Sequence, residues 1–191
     1  MVEHTKKYKK KILIGFLIIT IPCILLAFPD IEGSDNRRLL IAVDLFPSFL
    51  ASDKNIHNKI DIDDKLHVVI AYQYDQQTAE DMAQRLKNLG KIRGIPLTVK
   101  SLTVNDIEHS NNEKIAGIFI SESMIPLKPI INKSIVNQFI VFSPFEGDVE
   151  KGATGGLYIT EKILPYININ TMNLAKINMK SFFLRVSKKY E

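Results

Sequence analysis

Five lysines (Lys6, Lys7, Lys9, Lys10 and Lys11) stand directly before an unbroken apolar run over residues 12–28. This pairing limits what the rest of the chain can become. A basic segment, an apolar segment and a small residue at its end, here Ala27, are the parts of a Sec export signal. The lysines stay on the cytoplasmic side while the apolar run enters the membrane. Residues beyond 28 are therefore expected to fold in the periplasm. The run can also be read as a retained anchor, because at ~1.5 Å per residue it spans about 26 Å, near the lower limit for a membrane helix. Pro22 would break such a helix near its end and favours a cleaved signal. Leu25, larger than the residue preferred before a cleavage site, favours retention. Both readings stay open.

The division of the chain follows. Residues 1–28 are a signal peptide or N-terminal membrane anchor, a hydrophobic leader helix in either case. Residues 29–36, with Gly33, Ser34 and Asp35, are a polar linker, and residues 37–191 are one domain. That length suits one hydrophobic core and is short for two. Cys23 is the only cysteine and lies in the leader. Thr20 and Pro22 are the wrong residues ahead of it for lipidation. The domain therefore has no disulfide, cysteine metal site or thiol catalysis and depends on its core alone.

Charge points the same way. The chain has 25 Lys+Arg and 21 Asp+Glu. The leader holds five lysines and one acid, Glu3, so 20 basic and 20 acidic residues remain after it and the mature chain is neutral. A neutral mature chain has no electrostatic reason to bind nucleic acid.

Periodicity gives the elements. Leu39, Val43, Phe46 and Leu50 recur at helical spacing, with Pro47 expected to kink or end that helix. Residues 66–72 are a short apolar run rich in β-branched residues, a buried strand. A helix follows, with Thr78 as expected N-cap, a stripe of Ala79, Met82, Ala83, Leu86 and Leu89, and Gly90 as its stop. Further strands are expected at 96–102, 115–121 and 139–143. Pro126 and Pro129 predict an irregular helix between the last two. Residues 156–160 and 163–168 read as an antiparallel hairpin turning at Glu161-Lys162. Two short helices follow, near 171–176 and 180–190, the second with Phe183, Val186 and Tyr190 on one face. The expected fold class is α/β: a single domain with a mixed sheet of about six strands flanked by helices, a C-terminal β-hairpin and short helices after it.

No catalytic set emerges. The Gly-x-Ser-x-Gly and His-Glu-x-x-His patterns are absent, and His57, His67 and His109 are too scattered to suggest zinc. His67, inside an apolar strand, reads as half-buried structure, and His57 and His109 read as surface loop residues. No enzyme, metal or cofactor is expected. Residues 143–156 are the densest polar segment, with Glu146, Asp148 and Glu150 alternating among four glycines. Their spacing fits neither an EF-hand nor a P-loop, and the plainer reading is a solvated turn that sets up the hairpin. Phe145, Tyr158 and Tyr166 lie close to that turn in sequence. With Glu146 and Asp148 they are the candidate binding residues, against the plainer reading of the aromatics as core.

The hairpin and the segments after it carry a resemblance. Gly155-Gly156-Leu-Tyr-Ile, then Ile163-Leu-Pro-Tyr-Ile-Asn168, then residues 170–177 and Lys180-Ser-Phe-Phe-Leu-Arg-Val186 resemble the YfiR/HmsC family of periplasmic regulators. Upstream, residues 66–72, 92–99 and 115–120 follow in that family's order, so the likeness covers most of residue 39 onward. It implies a compact periplasmic α/β domain that restrains a membrane-bound diguanylate cyclase and so controls cyclic-di-GMP. Family members carry disulfides that this domain lacks, so disulfide-based redox sensing does not carry over. The expected function is that of a periplasmic regulator or sensor acting by protein–protein binding, its partner a signalling protein of the inner membrane. A homodimer is compatible with the sequence. The alternative is a small-solute-binding protein of a transport system, for which a strand–helix alternation supplies a cleft.

Overall fold

The computed structural model describes the backbone of residues 31–110 and 114–191 and the side chains from residue 35 onward. The leader, its cleavage site and its helix lie outside the described residues. Contacts gather Asn36–Glu191 into one compact unit. In chain order, helix α1 covers Ile31–Ser52, a 3-10 turn Ile56–Lys59, strand β1 Leu66–Tyr72, helix α2 Gln76–Leu89, β2 Lys91–Ile92, β3 Ile95–Thr103, α3 Val104–His109 and β4 Ile115–Ile120. After these come α4 Leu127–Asn137, β5 Ile140–Ser143, β6 Gly155–Ile159, β7 Ile163–Asn168, α5 Ile169–Leu174, α6 Ser181–Val186 and β8 Lys188–Tyr190. Among the described residues no helix is long and apolar enough to cross a membrane.

The fold is α/β with one mixed sheet in the order β2-β3-β1-β4-β5-β6-β7-β8. Strands β3, β1, β4, β5 and β6 run parallel, which requires long crossovers, made through helices except between β5 and β6, where residues 144–154 form a loop. The hairpin β6–β7 is antiparallel, and β8 returns parallel to β7. Strands β4 and β5 are buried at every position, and β1 at five of its seven, as the middle of a parallel sheet demands. The sheet has eight strands rather than about six because β2 and β8 were not expected. Lys91-Ile92 and Lys188-Lys189-Tyr190 are short and mostly charged, so no apolar pattern marks them. Edge positions tolerate such sequences and are protected by them.

Helix α1 lies directly on the sheet. Its buried residues Leu39, Ala42, Val43, Phe46, Phe49 and Leu50 follow helical spacing. A Cβ at Gly155 of β6 would fall 2.2 Å from the Phe49 ring, and one at Gly117 of β4 would fall 2.7 Å from Leu50. The two glycines are what let this helix approach. Phe46 and Phe49 then meet Phe142 at 5.4 and 4.8 Å between ring centroids, and Phe49 meets Phe183 of α6 at 4.9 Å. Pro47 does not end α1, which continues to Ser52. Proline in a helix interior costs about 3 kcal/mol, but each fully buried Phe or Leu contributes roughly 1.5–3 kcal/mol, and three of them flank it. The helix also begins at Ile31, so residues 31–36, expected as linker, are helical.

Other local expectations shift for equally local reasons. Asp75, not Thr78, caps α2: its carboxylate accepts from the Thr78 N–H. Helix α4 is regular across Pro129, because that residue stands in the first turn, where the missing N–H had no intrahelical partner. The segment expected as one helix over 180–190 stops at Val186 and turns into β8, so Phe183 is buried while Val186 is exposed and Tyr190 pairs with β7. His109 is the end residue of α3, and His57 stands in the 3-10 turn.

Two polar ties fasten the layers. Arg85 of α2 makes a two-pronged bond to Asp44 of α1, both contacts at 2.8 Å. Asp53, just beyond α1, is buried and pairs with Lys59 at 2.7 Å. Its other oxygen accepts from the backbone N–H groups of Asn55 and Asn178.

Candidate functional site

Because five strands run parallel, the loops that leave β1, β4 and β5 share one rim of the sheet. Residues 144–154 follow β5 there. Phe145 and Val149 are buried in this segment, and Asp148 is buried with them. Asp148 accepts a hydrogen bond from Ser143 Oγ at 2.7 Å and pairs with Lys151 Nζ at 3.1 Å. The Ser143 hydroxyl in turn accepts from the Phe145 N–H. The segment is therefore a turn, as expected, but one that is solvated on one side only. Its acids are divided: Asp148 ties the loop to β5 from within, while Glu146 and Glu150 face outward.

The loop and the hairpin enclose a shallow cavity of about 120 Å³. Phe145, Glu146, Tyr158 and Tyr166 all line it, so four of the five candidate binding residues come together. Asp148 does not, because its carboxylate is turned inward. Tyr166 donates to Glu150 at 2.9 Å. Burial, then this neighbouring carboxylate, pushes its hydroxyl up to about 12. Tyr158 meets Tyr166 edge-on with centroids 5.4 Å apart, and Lys188 lies 5.4 Å from the Tyr158 ring. Arg38 of α1 closes one side and donates to the Pro144 carbonyl at 3.1 Å. The cavity offers aromatic faces and charges of both signs but is well under the roughly 300–1,000 Å³ typical of small-molecule pockets.

The second feature of this rim was not expected. The sheet order reverses between β1 and β4, since the chain leaves β1 for β3 on one side and returns to β4 on the other. A crevice of this kind, outside the carboxyl ends of the strands, is where open α/β sheets bind ligands. Here Glu122, two residues past β4, fills it. One oxygen of its carboxylate accepts from three successive backbone N–H groups, Gln73 and Tyr74 at 2.9 Å and Asp75 at 3.1 Å. These donors lead into α2, whose N-terminal end favours negative charge. Burial is the largest influence on the Glu122 carboxyl and raises it, but the three hydrogen bonds together outweigh that and hold it below its usual range. Alongside, Ser121 donates from both N–H and hydroxyl to the Ala71 carbonyl. Tyr74 and Met124 project from the two loops so joined, 85% and 96% exposed.

One group of potential metal-ligating atoms occurs among the described residues: Asp61, Asp63 and His67, within 4.8 Å of one another. His67 Nε2 lies 2.9 Å from Asp63, and Asp63 also accepts from the Lys65 N–H. These bonds close the turn before β1, the structural role expected of His67.

No family model and no curated protein matches the chain. Solved structures with a similar backbone include a conserved domain protein from Vibrio cholerae O1 biovar eltor strain N16961, at TM-score 0.52 and 14% identity over 70% of this chain and 57% of that one. Another is an ABC domain in complex with L-Trp from Streptococcus pneumonia, at TM-score 0.49 and 11% identity over 73% of this chain and 59% of that one. The chain spans less than two thirds of either structure. At these identities the likeness to the Vibrio protein shows the α/β fold alone.

Proposed function

We propose that this chain is an exported regulatory protein of the YfiR/HmsC kind, acting in the periplasm by binding the outer part of an inner-membrane signalling protein such as a diguanylate cyclase. The observation that carries this reading is the filled crevice. Where a doubly wound sheet would accept a ligand, the protein has placed its own Glu122 carboxylate on the three N–H groups a ligand anion would use. Beside it stand two large exposed side chains, Tyr74 and Met124. A rim with its polar donors satisfied internally and its apolar side chains outward suits a protein surface better than a solute. Export rests on the leader sequence, and the partner class on the family resemblance.

The test is site-specific photo-crosslinking from positions 74 and 124 in native envelopes. A membrane signalling protein should be captured; Met124→Asp should abolish capture from position 74, and Tyr74→Asp capture from position 124, each leaving the melting temperature unchanged. A protein that stays uncrosslinked at native expression would sink the reading.

The second reading, a small-solute binder, has one observation in its favour: Tyr158, Tyr166 and Arg38 converge on one cavity. A saturable ligand in a thermal-shift screen, lost on Tyr158→Ala, would favour it.

A further inference from the structure

The opposite rim of the sheet holds a larger cavity, about 270 Å³, at the beginnings of β4 and β5. Lys59, Lys114 and Lys176 line it together with the amide side chains of Asn58, Asn137 and Gln138. No carboxylate stands among the described residues that line it. Lys59 is committed to Asp53. Asp61 approaches Lys114 through its backbone N–H, not its ammonium group. The C-terminal end of α4 adds about half a negative charge, which the two remaining ammonium groups, Lys114 and Lys176, outweigh.

The backbone carries a second indication. Gln138 and Lys176 have φ of 60° and 53°, the left-handed region. They follow the ends of α4 and α5, where glycine or asparagine adopts that conformation at least cost. Here the chain instead keeps two long polar side chains, and both line the same cavity. Strained backbone of this kind persists where side chains are needed.

We propose that this cavity binds a small oxyanion, a phosphate or a polycarboxylate, through Lys114 and Lys176 with the Asn58 and Gln138 amides completing the hydrogen bonds, since the Asn137 amide already donates to the Lys133 carbonyl. Lysine ammonium groups and amide N–H groups are donors suited to such oxygens. The site lies away from the rim proposed for the partner and does not depend on that reading.

The test is calorimetric titration of the full chain with inorganic phosphate and with citrate, at ionic strength held constant with chloride. Saturable one-site binding of at least one anion is expected. Lys114→Ala and Lys176→Gly should each weaken it at least fivefold, and Lys189→Ala should leave it unchanged. Lys176→Gly should also hold or raise the melting temperature, because glycine relieves the left-handed residue, so weakened binding could not be blamed on misfolding. Absence of saturable binding with both anions would overturn the proposal. Equal weakening by Lys189→Ala would overturn it too, since the effect would then be one of overall charge.

Discussion

Glu122 is the residue on which the upper rim depends. Its carboxylate is held in ionised form by three backbone donors, and hydrogen bonds to charged groups contribute roughly 1.5–3 kcal/mol before solvent access reduces them. Glu122→Gln should therefore cost about 1 kcal/mol at pH 7. A carboxyl held below its ordinary 4.5 stabilises the fold above that pH and loses the contribution as pH falls through its folded value. The melting-temperature gap between wild type and Glu122→Gln should narrow steadily below pH 4.5. A gap constant with pH would show that the charge does not matter. Tyr166 has the opposite sign. Its hydroxyl is raised from 10.0 to about 12, so its contribution is complete below pH 10 and is lost as pH rises through 12. Ultraviolet titration should show Tyr166 ionising late, and Glu150→Gln should bring that ionisation to lower pH by removing the nearby charge.

At the scale of elements, the approach of α1 to the sheet sets the core. The Gly155 position has no room for a methyl group, since its nearest neighbour is the Phe49 ring, itself held between Phe142 and Phe183. Gly155→Ala should destabilise the protein by about 1–3 kcal/mol, the usual range for overpacking, measured by chemical denaturation. The central strands were legible in the sequence because burial on both faces leaves a continuous apolar run, as in residues 66–72 and 115–120. The edges were not, because β2 and β8 are too short to carry a pattern. Neither was α4, whose prolines read as disruption until Pro126 is placed at its N-cap and Pro129 in its first turn. The candidate cavity was legible in part. Phe145, Tyr158 and Tyr166 flank one hairpin, so nearness in sequence survives folding. Asp148 sits among them in sequence, yet its bond to Ser143 draws it inward. Glu122 was invisible for a different reason: its partners are 47 to 49 residues away, and no local pattern records a tertiary bond of that length.

At the scale of the whole molecule, Asn36–Glu191 is one compact unit held by packing. With one cysteine in the sequence, no intrachain disulfide can form, so thiol reductants should leave the melting temperature unchanged. A shift on reduction would reveal a covalent dimer through Cys23. The tie at Asp53 has a kinetic consequence. Its carboxylate holds the end of the first helix to the backbone of Asn178, 125 residues further on, and the parallel strands add crossovers of their own. Contacts between such distant residues close slowly, because the loop entropy must be overcome before they contribute. The far end of the helix that covers the sheet stays open until residues 178–180 arrive to close it. A polypeptide built this way closes its last layer slowly, and in a chain proposed as a Sec passenger that delay would keep it threadable.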